Sequence, residues 1–322
     1  MSSSNHAAPV QEQQSWSSRR VLIIGGTGFL GQRLTSRLVA RGTAVAVTVL
    51  ENDAPDVVAT LPQQAHRCEG DVRDLDRISQ IIRDVEPEIV FHLAAVGVND
   101  PFIAEETALE VNVRGTLSVL KAVRMAGDAT SNRVRRVVVA GTSYEYGSDG
   151  RLDPGNVYAA SKVAAWAFCR MHYRAYGTPV VIARPFNVYG PGQPERALVP
   201  SAIRAALHGE DFPATHGEQR RDFVYVDDIM DGLVAVAEAP GIEGESLDLG
   251  TGQTTPVGEL IERVYELCEG SGKPKLGALP YRPGVVWEMV ADAERTYALT
   301  GWRAKIGLLE GLKRTIEAFS LH

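Results

Sequence analysis

One stretch constrains this chain more than any other: Gly25-Gly26-Thr27-Gly28-Phe29-Leu30-Gly31, set between the apolar run Val21-Leu22-Ile23-Ile24 and a segment of helical period that continues to Arg41. A strand that turns into a helix over glycines at this spacing lets backbone come close to a pyrophosphate, whose charge then faces the first helical amides. A tight structural turn is the plainer alternative. The placement between strand and helix favours dinucleotide binding, with Gly25, Thr27, Gly28, Phe29, Leu30 and Gly31 around the phosphates.

Short β-rich runs keep alternating with helical segments further on. Strands are expected over 44–50, at Ile89-Val90-Phe91-His92, at Val137-Val138-Val139-Ala140 and at Val180-Val181-Ile182-Ala183. The last three and the first run, 21–24, are nearly continuous apolar stretches, as strands covered on both faces should be. The pattern predicts an α/β chain: a Rossmann-type, doubly wound parallel sheet with a smaller mixed α/β substrate-binding domain. The nucleotide domain is expected over 20–184. After Arg184 the texture changes at Pro185, Pro191, Gly192, Pro194 and Pro200, so the substrate part is assigned to 185–322, with an amphipathic stretch over 201–208. The run 246–249, closed by Gly250-Thr251-Gly252, can return to the main sheet as a late strand.

Composition narrows the partners. A net charge of −7 gives no general attraction to polyanions, which argues against nucleic acid and anionic membranes while leaving room for a small anion held by a few arginines. No apolar segment approaches the ~20 residues of a membrane span, and residues 1–19 read as a flexible polar tail without a secretory core, so a cytoplasmic protein is expected. Cys68, Cys169 and Cys268 are far apart and read as reduced core thiols. The histidines lack ligand spacing, so no metal is expected, and His92 reads as a structural hydrogen-bonding residue.

Two further groups of residues carry chemistry. Glu51 follows the second strand, where an acidic side chain accepts hydrogen bonds from ribose hydroxyls, which favours NAD over NADP. Asp71 either reaches the adenine edge or caps a helix. Tyr158 and Lys162 are four apart on a helical stretch, so a phenol and an ammonium share one face. A nearby cation stabilises a phenolate and brings the phenol towards an acid/base range useful for hydride transfer at an alcohol or ketone. Thr142 or Ser143, at the end of an apolar strand, would orient the reacting oxygen, with turn capping as the alternative.

Taken in order, GGTGFLG at 25–31, GDVRD at 70–74, FHLAA at 91–95, VNVRGT at 111–116, GTSYEYG at 141–147, YAASK at 158–162, RPFNVYGPG at 184–192 and RRDFVYVDD at 220–228 resemble the extended short-chain dehydrogenase/reductase family. The branch is the one called NAD-dependent epimerase/dehydratase, most of whose members modify nucleotide sugars. The resemblance implies Tyr158 as acid/base, Lys162 on the nicotinamide ribose and lowering the phenol, and Thr142 as the orienting hydroxyl. It implies Asp71 and Val72 at adenine, Ala94 and Ala95 along the cofactor, and Asn112 as support for the active-site backbone. Asn187 and Arg221 would hold the diphosphate of a nucleotide sugar, with Arg282 as a further ligand. Ser143, Tyr144 and Val199 would meet the substrate.

Departures from the pattern matter too. Dehydratases of this family carry an Asp-Glu pair after the threonine, and decarboxylases a Glu where Tyr144 stands; this chain has Ser143 and Tyr144 there. Both reactions are therefore disfavoured. Glu145 is one position late and is expected to point elsewhere. A 4-ketoreductase of a 4-keto sugar is the preferred reading, on the bulk of Tyr144 and the RPFNVYGPGQ and ALVP stretches; a 4-epimerase that retains NAD is the alternative. A silent cofactor sensor is disfavoured because the Tyr/Lys pair is kept. Apolar residues near 111–123 and 163–171 exceed what one core face needs and resemble helices that pair in a homodimer.

Overall fold

The computed structural model describes residues 16–98, 100, 103–129, 134–282 and 284–320. The first half runs β1 (Arg20–Ile24), α1 (Phe29–Ala40), β2 (Ala44–Val49), α2 (Pro55–Ala59), β3 (His66–Glu69), α3 (Leu75–Val85), β4 (Ile89–His92), α4 (Glu105–Ala108), a π-helix (Leu109–Arg114), α5 (Gly115–Ala129), β5 (Arg136–Ala140), a 3-10 turn (Ser143–Glu145), α6 (Val157–Tyr176) and β6 (Val180–Pro185). The second half runs β7 (Asn187–Tyr189), α7 (Leu198–Leu207), β8 (Phe212–Pro213), β9 (Arg220–Arg221), β10 (Phe223–Tyr225), α8 (Val226–Glu238), β11 (Ser246–Leu249), β12 (Thr255–Pro256), α9 (Val257–Cys268), β13 (Pro274–Lys275), β14 (Glu288–Met289), α10 (Ala293–Thr300) and α11 (Leu308–Ser320).

Seven strands form one parallel sheet in the order β11-β6-β5-β4-β1-β2-β3. Successive side chains of a strand point to opposite faces, and here they feed two separate cores. Val21, Ile23, Val47, Phe91 and Val138 pack with Leu34 and Leu38 of α1 and with Ile229 and Leu233 of α8. Leu22, Ile24, Val90, Val137 and Val139 pack with Ile78 and Ile82 of α3 and with Leu120 of α5. Helices on both faces explain why β4, β5 and β6 are buried at every position. The strand order reverses between β1 and β4, and a crevice at the carboxyl ends of such a pair is where doubly wound sheets hold ligands.

The late run 246–249 does return, as the edge strand β11 beside β6, and α8 packs on the same sheet face as α1. The remaining strands make small sheets: β7 with β10, β9 between β12 and β14, and β8 with β13. Helix α7 starts at Leu198, earlier than the expected 201, with Pro200 inside its first turn. A first-turn amide has no partner within the helix, so proline is tolerated there.

The expected tail is shorter than 1–19. Residues 1–15 lie outside the described residues, but Trp16–Ser18 forms a 3-10 turn with Trp16 buried, and its indole Nε1 donates to Glu238 Oε1 at 2.6 Å. The large apolar ring and its single donor find a site on the domain, which a polar tail would not. All three cysteines are free thiols; Cys68 and Cys169 are buried and Cys268 is half-buried. No helix among the described residues is long and apolar enough to cross a membrane. Leu109, Met125, Phe168 and Met171 stay exposed on the π-helix, α5 and α6.

Candidate active site

The glycine turn is shaped by what it excludes. Gly25 takes φ +90°, and a Cβ there would lie 2.6 Å from the amide nitrogen of Ala94; at Gly31 a Cβ would lie 2.1 Å from the carbonyl oxygen of Gly25. The Gly25 amide donates to Thr48 Oγ1 at 3.0 Å, which pins the turn to β2. Gly28 differs: a Cβ there would meet only the Gly25 oxygen, at 3.5 Å, and the residue is exposed at the uncapped start of α1. Nothing in the chain itself demands glycine at 28. The open cradle beside it fits a phosphate that must approach the backbone closely and meet the first amides of α1, those of Phe29 and Leu30.

The neighbouring strand ends complete this crevice. Glu51 is exposed in the turn after β2, a turn held by the Leu50 amide donating to Asp53 Oδ2 at 2.8 Å. Ala94 and Ala95 are half-buried just past β4, with the Ala94 amide donating to the Ile24 carbonyl at 3.0 Å. Asp71 does not cap a helix; that role belongs to Asp74, whose side chain accepts from the Arg77 amide at 3.0 Å. The Asp71 carboxylate is instead gripped by Arg73, whose side-chain hydrogen bond chiefly holds it below the usual carboxylate range. Val72 packs its side chain against Gly115, so only its backbone is open to a ligand.

Tyr158 and Lys162 sit one turn apart on α6, with 7% and 3% of their surface exposed. Asn156 starts this helix by accepting from the Ala159 amide at 2.8 Å. Tyr158 is hydrogen-bonded to Thr142. Thr142 also caps the 3-10 turn, accepting from the Tyr144 amide at 3.3 Å, the capping role given as the alternative for this hydroxyl. Asn112, on the π-helix, accepts from the Val96 amide (2.9 Å) and donates to the Val96 carbonyl (3.0 Å) and to Ser161 Oγ (2.9 Å). It thereby ties the exit of β4 to α6, and such a π-helical irregularity is a common mark of a functional segment.

Electrostatics at the pair depart from the sequence-based expectation. Burial pushes the Tyr158 phenol up, the Thr142 hydrogen bond pulls it down, and Glu145 and Tyr144 push it further up. Burial also pulls the Lys162 ammonium down, while Glu145 holds it up. A lowered phenol is therefore not what these surroundings produce, because desolvation penalises phenolate more than the local groups favour it.

On the facing side, Tyr144 is exposed and hydrogen-bonded to Arg221, whose guanidinium is pulled down by burial and held up by that contact. Asn187, at the start of β7, has a buried Nδ2 with no partner among the described residues. An amide donor left without an acceptor is costly unless a ligand completes it. Ser143 is buried beneath the turn, and Arg282 is exposed on the loop before β14. Val199 does not present a side chain to this space: it is buried in the core among α7 residues, which leaves only its first-turn amide as a possible contact.

A family model described as the NAD dependent epimerase/dehydratase family matches residues 21–250. The chain belongs to that family. Among similar proteins is a UDP-glucose 4-epimerase from Mycolicibacterium smegmatis, 31% identical over 328 residues, covering 93% of this chain and 98% of that one. A human dTDP-D-glucose 4,6-dehydratase is 29% identical, covering 93% of this chain and 89% of its own. Among solved structures, a UDP-glucose 4-epimerase from Thermus thermophilus in complex with NAD superposes with a TM-score of 0.80 at 29% identity, covering 94% of this chain and 99% of the other. The resemblance seen in the motifs is met at the level of family and fold, and the cofactor of the family is NAD.

In this epimerase/dehydratase family member, one group of residues went unread in the sequence. Arg184 on β6 donates from Nε to Glu145 Oε2 (2.7 Å) and from Nη1 to Tyr146 Oη (3.0 Å), and Tyr146 Oη donates to Asp248 Oδ1 (3.0 Å). Asp248 lies opposite Arg184 in the β11–β6 register. The available signal is a charge of each sign among the apolar residues of two strands, VVIARP and SLDL. Glu145, expected to point elsewhere, is enclosed in this cluster, with Oε1 accepting from the Thr142 amide and Oε2 from Arg184, and it lies close enough to act on Tyr158 and Lys162.

His92 has a structural role. Thr116 Oγ1 donates to the Asn112 carbonyl at 2.6 Å, so the 3.0 Å contact to His92 Nε2 has the imidazole as donor and Nδ1 as its bare nitrogen. Burial, aided by Lys162, lowers this imidazole to about 3. Unfolded, it titrates near ~6.5. Between those values the unfolded chain binds a proton that the folded chain does not, so stability falls as pH drops through the window, by up to ~1.4 kcal/mol per pH unit. Urea unfolding at several pH values should show a shallower acid loss for His92→Gln; equal slopes would place the acid lability elsewhere.

Proposed function

We propose that this chain catalyses NAD-dependent hydride transfer at C4 of a nucleotide-diphosphate hexose, with reduction of a 4-keto sugar as its net reaction. What carries the reading is the buried Tyr158/Lys162 pair against Thr142, beside a glycine turn open at Gly28. Bound as NADH, the cofactor would supply the hydride for this reduction and leave as NAD+. Gly25, Thr27, Gly28, Phe29, Leu30 and Gly31 would hold its pyrophosphate, Glu51 its ribose, and Asp71, Val72, Ala94 and Ala95 its adenine side and flank.

Tyr158 gives its phenolic proton to the ketone oxygen as that oxygen gains electron density, and the phenolate left behind is stabilised by the Lys162 ammonium and the Thr142 hydroxyl. A phenol kept protonated by its surroundings suits an acid in this direction. Asn187 Nδ2 and Arg221, with Arg282 on the nearby loop, supply donors for the sugar diphosphate, a planar guanidinium being suited to paired phosphate oxygens. Tyr144, bulky and in contact with Arg221, favours a single reduction over a reaction that must turn the intermediate.

A 4-epimerase is the second reading. Glu51 at the ribose position and the M. smegmatis relative favour it. Denaturing the purified protein and identifying released dinucleotide by mass separates the two. The reductase reading expects little retained cofactor and stoichiometric loss of NADH absorbance on adding 4-keto nucleotide sugars. Stoichiometric NAD in the released fraction, with no net NADH consumption, would replace it by the epimerase. The exposed Leu109, Met125, Phe168 and Met171 support a homodimer formed through the π-helix, α5 and α6.

A further inference from the structure

The buried charges behind the catalytic pair have no part in the chemistry just described. Glu145 is fully enclosed and both its oxygens are committed: Oε1 accepts from the Thr142 amide at 2.9 Å and Oε2 from Arg184 Nε at 2.7 Å. A Cβ at Gly141 would lie 2.7 Å from Glu145 Oε1, so the residue just past β5 is glycine where the carboxylate passes. Arg184 is enclosed as well, and the chain of contacts continues through Tyr146 to Asp248. Apolar side chains of similar volume usually fill such a space at no loss of stability. An ion pair whose carboxylate closes the very turn that Thr142 caps calls for another explanation.

We propose that Glu145 is a positioning residue for proton transfer: its enclosed carboxylate fixes Thr142 through the backbone amide and sets the fixed charge that the Tyr158 hydroxyl works against. The inference rests on the assignment of Tyr158 as the acid. The groups around the phenol are few. Thr142, Tyr144 and Glu145 face it from the 3-10 turn, and Lys162 lies one turn on along α6 with His92 of β4 near it and Cys169 beyond. Arg184 of β6, Tyr146 and Asp248 of β11 stand behind Glu145, and Arg221 reaches the site through Tyr144.

Of these, Arg184 is held by Glu145, and His92 is neutral above about pH 3. After burial, Glu145 is the carboxylate that favours the protonated phenol, and the same charge favours the protonated Lys162. In a poorly solvated pocket a fixed charge acts over a longer reach than in water. A phenol and an ammonium that both keep their protons form a donor pair ready for an incoming ketone.

The test needs no substrate. In the full chain, 3,5-difluorotyrosine placed at 158 titrates well below tyrosine, and its fluorine resonance reports ionisation directly. Glu145→Gln, which keeps an acceptor for the Thr142 amide but removes the charge, should move the titration midpoint to lower pH. Glu145→Asp keeps the charge but draws it back from Thr142, and should give a smaller shift in the same direction. A folded Gln variant whose midpoint does not fall below the parent's overturns the proposal. If the Gln variant does not fold, the Asp variant decides, and a midpoint at or above the parent's has the same meaning. Failure of the acid assignment shows separately, as full turnover by Tyr158→Phe.

Discussion

Replacing Tyr158 by phenylalanine is expected to lower kcat by about 10²–10⁴-fold, the usual contribution of a positioned general acid or base, with cofactor and nucleotide-sugar affinity almost unchanged. The ring is buried and its hydroxyl bonds Thr142, so phenylalanine keeps the packing and deletes one polar atom. Thr142 still caps the 3-10 turn after the change, because its bond to the Tyr144 amide does not involve the phenol. Steady-state rates together with binding titrations of NAD and a nucleotide sugar would check the split. Turnover equal to the parent's would remove Tyr158 from the mechanism, and a parallel loss of affinity would make it a packing residue.

Arg184→Met is expected to cost about 3–5 kcal/mol of unfolding free energy, as when one partner of an enclosed ion pair is deleted. The size follows from what is left behind. Glu145 is 0% exposed and loses its cation, Tyr146 loses a donor, and Asp248 loses the guanidinium opposite it in the sheet. Substituting Glu145 by methionine in the same chain should recover part of the loss, since the desolvated charge goes with it while the Thr142 amide loses its acceptor and Asp248 stays without its cation. Urea unfolding of the two single variants and the double variant measures the coupling. A loss below about 1 kcal/mol for Arg184→Met would class the pair with exposed ion pairs.

What the residues reveal in advance, and what they hide, follows from how each piece is determined. The strands of the main sheet were legible because both faces are covered, so Val21 to Ile24 or Val137 to Ala140 have to be apolar throughout. The glycine turn was legible because Gly25 and Gly31 have no room for a side chain. Helix α7 began earlier than its apolar period suggested, since Pro200 looks like a boundary and here occupies a first turn. Trp16 reads as part of a tail because its neighbours are polar, while its partner Glu238 is far along the chain. The direction in which Tyr158 is shifted could not be read from a Tyr-Lys spacing, because it depends on burial and on Glu145, and depth has no signature at an i,i+4 distance. Val199 shows the opposite limit: a motif position can lie beside a ligand space while its side chain serves the core.

The outermost strand of the main sheet, β11, ends at Leu249, more than sixty residues after β6 closes at Pro185. During synthesis the growing chain therefore carries an unpaired β6 edge, with Arg184 facing no Asp248, until the later residues emerge from the ribosome. A fragment cut at the change of texture near 185 would keep every glycine of the nucleotide turn and still lack one border of its sheet and the α8 cover on one face. The two halves consequently have to mature together, and attempts to express the first alone should yield an aggregating species rather than a small nucleotide-binding module.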